Sequence, residues 1–166
     1  MNRLIGWYEN LPLPPGQVLG IATALGLGRV RPAPLPGPRV LHRTAGAVAL
    51  AAGCALNVWA LIERRRRTSG RFDLEQPETL VTTGPYAVSR HPMYVGWWLI
   101  HAGIGLLSGS AWVAATLPVA AIVEHVGVHR EEEALERRFK DAFAQYRRRV
   151  PCYLGLPRRA SRRPTS

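Results

Sequence analysis

The chain has 166 residues and a formal net charge of +11, from 22 basic and 11 acidic residues. The length suits one domain, and the two cysteines exclude a fold built on several disulfides. The charge does not indicate a nucleic-acid-binding protein, because the arginines flank long uncharged segments, where membrane topology would put them.

Four uncharged segments predict an all-α integral membrane protein with three to four transmembrane helices. The first, residues 11–28, begins with three prolines and leaves only about a dozen helical residues, which is short for a crossing. Segments 44–62 and 93–109 would reach roughly 28 and 26 Å as helices, close to the ~30 Å hydrocarbon thickness. Segment 110–128 is predicted to be a further span, with Glu124 near the membrane surface.

Small residues inside these segments predict close contacts between helices. Gly46 and Gly53 lie in the second segment, and Gly103 and Gly105 in the third. Glycine lets two backbones approach within a membrane bundle, and His101 is expected to be hydrogen-bonded between helices.

The distribution of basic residues predicts the topology. Residues 63–92 carry six arginines, and the segment from residue 129 onward carries eleven basic residues, against four between the first two predicted spans. The richer side should be cytoplasmic. The high ratio of arginine to lysine favours a bacterial protein, and hence the bacterial inner membrane. The predicted organisation is membrane helices at 1–62, a cytoplasmic loop at 63–83, a functional region at 84–154 and a basic, disordered tail at 155–166.

A short turn, Ser108-Gly109-Ser110, separates the third and fourth predicted spans. It predicts an antiparallel helical hairpin over about residues 93–128, which returns the chain to the side it left. Arg90 and His91, before the hairpin, should therefore meet residues 124–133, after it.

The last element, about residues 130–149, is predicted to be a cytoplasmic amphipathic helix. Its apolar stripe recurs at helical spacing, and its outer face should carry two ion pairs between residues four apart, Glu133 with Arg137 and Glu136 with Lys140. The stripe consists of Leu135, Phe139, Phe143 and Tyr146.

Several motifs at characteristic spacing resemble the isoprenylcysteine carboxyl methyltransferase and phospholipid methyltransferase family of integral membrane enzymes, over about residues 82–151. The resemblance implies an S-adenosylmethionine-dependent methyltransferase that acts on a lipophilic or amphipathic acceptor, a carboxylate, amine or thiol, reached from the lipid bilayer. The motifs are Gly84-Pro85-Tyr86, Arg90-His91-Pro92-x-Tyr94-x-Gly96, Glu131-Glu132-x-x-Leu135 and Val150-Pro151.

The resemblance also implies the site residues. Arg90, His91 and Glu132 are the expected catalytic group, and the guanidinium fork of Arg90 suits the carboxylate of S-adenosylmethionine. A glutamate can accept hydrogen bonds from its ammonium group or ribose, and His91 or His129 could deprotonate an amine acceptor. The cofactor-binding set is Tyr86, Arg90, His91, Tyr94, Gly96, His129, Glu131 and Glu132, and no metal ligand is included.

Three positions depart from the family pattern. Lys140 stands where glycine is usual and Phe143 where tyrosine is common, and both are expected to disturb the fold little. Cys152 replaces an arginine that often follows the proline, which removes a cation that could help to hold the cofactor or the tail.

Two alternatives remain open. In the first, His125 and His129, four residues apart, join Glu132 and His91 in a metal site of a membrane hydrolase. The glutamate that a metalloprotease carries inside such a histidine pair is missing. In the second, the chain is a non-catalytic transporter or scaffold, which leaves the Arg-His-Pro-x-Tyr spacing unexplained.

Overall fold

A computed structural model describes residues 13–68 and 79–155, and over these ranges the fold is all-helical. Residues 156–166 of the predicted disordered tail and residues 69–78 of the predicted loop lie outside the described residues. The four helices are α1 (Pro15–Val30), α2 (Arg39–Arg66), α3 (Pro92–Ser108) and α4 (Val113–Arg149), with a 3-10 turn at Gly84–Ala87.

Helix α2 is the one described helix that is long and apolar enough to cross a membrane by length and composition. It extends beyond the predicted segment 44–62 at both ends and continues into the predicted loop as far as Arg66. Only 17% of its apolar stretch is buried within the chain, and large side chains such as Val48, Val58 and Trp59 lie exposed on its surface. Apolar surface of this extent is typical of a helix that contacts lipid or a partner.

Helices α2 and α3 pack closely along a seam of four glycines. A Cβ on Gly53 would lie 2.5 Å from the carbonyl oxygen of Gly96, and one on Gly46 would lie 2.9 Å from that of Gly103. The two glycines on each helix are seven residues apart, which is about two turns. They therefore lie on one face of each helix, and the close contact recurs after two turns of this antiparallel pair. The prediction that glycines permit close helix contact is confirmed.

A buried chain of polar side chains connects α1, α3 and α4. Gln17 donates to Oε2 of Glu124 at 2.9 Å, and Trp98 donates to the same oxygen at 3.1 Å. His101 bonds the amide oxygen of Gln17 at 2.7 Å and the hydroxyl of Thr116 at 3.0 Å, as expected for a histidine between helices. Glu124 is only 6% exposed, so its carboxylate lies inside the helix bundle.

The predicted turn joins α3 to α4. Helix α3 ends at Ser108, and Gly109 adopts a left-handed conformation (φ 65°) that few other residues tolerate. Helix α4 runs back toward the end of the molecule at which α3 begins. Helix α3 nevertheless packs mainly on α2, and α4 packs mainly on α1. The turn therefore connects two packed helix pairs, α2 with α3 and α1 with α4, and α3 and α4 pack little on each other.

Helix α4 continues through the boundary predicted near residue 129 and is interrupted instead at Lys140. Beyond this kink, Phe143 and Tyr146 pack with Val150, Leu135 and Phe139, which confirms the predicted apolar stripe.

The charged pairs on the outer face of α4 agree only in part with the prediction. The Glu133–Arg137 pair forms at 3.8 Å. Glu136 bonds Arg147 at 3.3 Å in place of the predicted Lys140, because the kink turns the two halves of the helix.

The backbone of Lys140 has φ 44° and ψ −118°, a conformation found almost only in glycine. The expectation that this departure disturbs the fold little is therefore wrong. We expect Lys140→Gly to raise the free energy of unfolding by about 1 kcal/mol, because relief of strain outweighs the entropy that glycine loses on folding.

Thermal unfolding of the purified protein in detergent measures this effect. Lys140→Ala is the matched control, since it removes the charge but keeps the Cβ, and it should leave the midpoint nearly unchanged. Equal stabilisation by both variants would mean that the charge, and not the backbone, is responsible.

Candidate functional site

The site is formed where the chain beyond α4 returns across the start of α3. The backbone N–H of Arg90 donates to the carbonyl of Pro151 at 2.9 Å, and that of His91 donates to the carbonyl of Cys152 at 3.0 Å. Pro92 begins α3 and has no N–H, so this helix end has one fewer amide that needs a partner. Two motifs far apart in sequence thus form one structural unit.

Arg90 holds this unit together with its whole side chain. Its Nε and Nη2 each lie 2.8 Å from Oε1 of Glu132, and Nη1 donates to the carbonyls of Arg147 (3.1 Å) and Val150 (2.8 Å). The guanidinium therefore binds the middle and the end of α4 at once. The fork that was predicted to hold the cofactor's carboxylate is already engaged, so Arg90 is a positioning residue.

His91 lies between the two glutamates and is 4% exposed. Its Nε2 bonds Oε1 of Glu132 at 3.1 Å, and its Nδ1 is 3.6 Å from Oε2 of Glu131. Because an ionised carboxylate only accepts, the first bond assigns the proton to Nε2. The turn between α3 and α4 therefore brings together Arg90, His91 and the two acids, as the sequence predicted.

The carboxylates of Glu132 and Glu131 differ in burial and in the number of their partners. Burial raises the pKa of Glu132, but hydrogen bonds from His91 and Arg90 and the charge of Arg90 outweigh it and hold this pKa at about 2. Its contribution to stability is present above its usual pKa of 4.5 and is lost as the pH falls toward 2. Glu131 keeps a 39% exposed side chain and makes only a loose contact, so its carboxylate remains accessible.

Aromatic rings extend the site along α3. Tyr94 contacts His91 edge to face at 5.8 Å between centroids. Tyr153, from the returning segment, lies 6.2 Å from His91 and 4.6 Å from Trp98. Sequence reasoning missed Tyr153 and Trp98, although Trp98 stands four residues after Tyr94 and hence on the same helix face.

Three predicted site residues are held mainly by other contacts. Tyr86 packs in a hydrophobic cluster with Ala60 and Met93. A Cβ on Gly96 would collide with Asn57 and the backbone of α2, so this glycine serves helix packing. His129 bonds His125 on the exposed face of α4, with a distance of 3.0 Å between their Nε2 atoms.

The described residues contain one group of three candidate metal ligands, His91, Glu132 and Cys152, whose ligand atoms lie within 4.8 Å of one another. The group does not fit a metal ion, because the guanidinium of Arg90 already occupies the cationic position beside Glu132. Burial also raises the pKa of the Cys152 thiol, which opposes the thiolate form that metals bind. The ligand set predicted from His125, His129, Glu132 and His91 is not assembled, since His91 and Glu132 bond each other within the site.

The model of the family described as phospholipid methyltransferase matches residues 41–142. The chain belongs to the phospholipid methyltransferase family. The match spans α2, α3 and most of α4, and so includes every residue of the site except the returning segment. No solved structure matches this chain.

Relatives of this phospholipid methyltransferase family member carry two kinds of name. The nickel-cobalt-cadmium resistance protein NccN of Alcaligenes xylosoxydans is 39% identical over 85 residues, which are 51% of this chain and 38% of that protein. The cobalt-zinc-cadmium resistance protein CzcN of Cupriavidus metallidurans is 39% identical over 75 residues, 45% and 35% of the two chains.

The second kind of name denotes an enzyme. The protein-S-isoprenylcysteine O-methyltransferase of Homo sapiens is 38% identical over 81 residues, which are 48% of this chain and 28% of the human protein. The chain thus spans between 28% and 38% of the length of these relatives.

Proposed function

We propose that the protein transfers the methyl group of S-adenosylmethionine to a lipophilic or amphipathic acceptor that reaches the site from the membrane. The observation that carries the proposal is the position of His91, buried between two carboxylates and beside the ring of Tyr94. Membership of a family that includes named methyltransferases supports it.

The chemistry of the described side chains fits the cofactor. S-adenosylmethionine combines an ammonium group, ribose hydroxyls, an adenine ring and a sulfonium cation. The accessible carboxylate of Glu131 can accept from the ammonium or the hydroxyls, and the faces of Tyr94 and Tyr153 suit the adenine and the cation. When bound, S-adenosylmethionine supplies an electrophilic methyl group.

The protein's own residues then position the reactants and exclude water. Arg90 fixes Glu132, and Glu132 fixes the ring of His91 through Nε2. The other ring nitrogen, Nδ1, is directed toward the accessible Glu131 and can take the proton that an amine or thiol acceptor releases. A carboxylate acceptor needs no such base, because it is already ionised.

We further propose that α1, α3 and the first half of α4 lie in the membrane beside α2. Exposed apolar side chains on α1 and α4 support this arrangement, because a water-facing helix surface is normally polar. The excess of arginine around the site favours a cytoplasmic orientation. The exposed side chains are Val18 and Leu19 on α1 and Val119, Ile122, Val123 and Val126 on α4.

Calorimetric titration of the full-length protein in detergent with S-adenosylmethionine, and with its demethylated product, tests the proposed function. We expect wild-type protein to bind both, and Glu131→Gln to bind at least about tenfold more weakly, since a hydrogen bond to a charged group contributes about 1.5–3 kcal/mol.

Glu133→Gln is the matched control, because Glu133 is 68% exposed and pairs only with Arg137 in an outward ion pair at 3.8 Å. It should bind like wild type. Wild-type protein indifferent to both ligands would contradict the proposed activity, and equal losses in the two variants would contradict the role of Glu131.

The two relatives named for metal resistance favour a second candidate function, a role in tolerance of divalent metal ions. This role is compatible with methyl transfer, since both kinds of name occur among the relatives. The titration separates the two, because metal tolerance alone requires no affinity for S-adenosylmethionine.

A further inference from the structure

Two histidines that the proposed reaction does not require lie together on the exposed face of α4. His125 and His129 are one helical turn apart, and their rings meet edge to face at 4.4 Å between centroids. Their Nε2 atoms are 3.0 Å apart. One Nε2–H must donate to the lone pair of the other Nε2 in this state, and transfer of that proton to the Nδ1 of its own ring would direct both Nε2 lone pairs to one point.

That separation is close to what a shared metal ion would require. With metal–nitrogen bonds of about 2.0–2.1 Å and a tetrahedral angle, two ligating nitrogens lie about 3.3 Å apart. A shift of only about 0.3 Å would therefore open the pair into a chelate, and both side chains are free to make it because they are exposed.

A second observation favours metal binding over a simple histidine pair. The other ring nitrogen of His125, Nδ1, lies 2.9 Å from the hydroxyl of Tyr153. The oxygen of this hydroxyl can accept the Nδ1–H. Metal-ligating histidines characteristically donate their second N–H to such a partner, which leaves Nε2 with a free lone pair.

We propose that His125 and His129 bind one divalent transition-metal ion, such as Ni²⁺, Co²⁺ or Zn²⁺, with water in the remaining positions and Tyr153 as the outer partner of His125. Imidazole pairs prefer these ions, whereas Mg²⁺ and Ca²⁺ prefer oxygen ligands. The site is separate from the group of His91, Glu132 and Cys152, where Arg90 excludes a cation.

The site is also joined to the methyltransferase site through one side chain. Tyr153 contacts His125, Trp98 and His91 at ring centroid distances of 5.8, 4.6 and 6.2 Å. An ion on the histidine pair would restrict Tyr153 and with it the segment that crosses the start of α3.

Isothermal titration with NiCl₂ and with ZnCl₂ tests the proposal. The full-length protein is purified in detergent through a tag that contains no histidines. We expect one ion per chain, and at least a tenfold loss of affinity in His125→Ala and in His129→Ala. Tyr153→Phe should weaken binding about tenfold, in the range found when an outer hydrogen-bond partner of a metal ligand is removed.

His42→Ala is the matched control, because His42 is a histidine at the other end of the fold that bonds only the carbonyl of Pro36. It should bind both ions like wild type. No binding by wild type, or affinity that survives His129→Ala, would overturn the proposal. The result is independent of S-adenosylmethionine, so a chain that binds the metal but not the cofactor would refute the proposed reaction and leave this site standing.

Discussion

Arg90→Ala is expected to lower the free energy of unfolding by about 3–5 kcal/mol, because it leaves a buried carboxylate without its arginine partner. The side chains of Arg90 and Glu132 are only 9% and 12% exposed, so water cannot readily replace the lost contact. The substitution also leaves the carbonyls of Arg147 and Val150 without a donor. A thermal unfolding midpoint measured in detergent should fall by many degrees.

Arg137→Ala is the matched control for this change. It also removes one arginine from an arginine–glutamate pair, but that pair is about 70% exposed and spans 3.8 Å. Such pairs contribute about 0–1 kcal/mol, so its midpoint should stay within a degree or two of wild type. Similar midpoints for the two variants would show that the Arg90 contacts do not hold α3 to α4.

Gly53→Ala should be strongly damaging where α2 packs on α3. The new methyl group would lie 2.5 Å from the carbonyl oxygen of Gly96 and 2.9 Å from the backbone nitrogen of Ile100. Backbone atoms cannot rotate away, so α2 and α3 must separate, at a cost of about 1–3 kcal/mol for overpacking. The expected result is a lower unfolding midpoint and weaker cofactor binding, because α3 carries His91 and Tyr94.

Gly127→Ala makes the same chemical change in a helix, but a Cβ there meets no atom within 4 Å. It should raise stability by about 0.5–1 kcal/mol through helix propensity alone. Opposite signs for the two variants would support the glycine seam. If both variants were stabilised, the close approach of α2 and α3 would be refuted.

The sequence predicted those parts of the site that depend on local chain geometry. A turn of three residues makes α4 run back along α3. The start of α3 therefore lies level with the middle of α4, and this is enough to bring His91 near Glu131 and Glu132. The proline at the start of α3 and the glycines of α2 were likewise readable, because each acts through its own backbone.

The contacts that each motif residue makes were harder to predict from the sequence. Gly96 occupies a motif position, but periodicity does not tell which helix covers it, and in the fold α2 does. Lys140 shows the same limit for backbone conformation: nothing in the amphipathic pattern from Leu135 to Tyr146 marks the positive φ at which α4 bends.

By itself, the sequence determined which segments are helical, which of their faces are apolar, and which polar groups are brought to one end of the molecule. Only the tertiary structure decided which of those groups remain available to a ligand. A side chain has a fixed number of hydrogen bonds, and those of Arg90 are taken by partners 42, 57 and 60 positions away. Glu131 has no such distant partner among its described hydrogen bonds, and this leaves its carboxylate, and not the guanidinium of Arg90, accessible to a ligand.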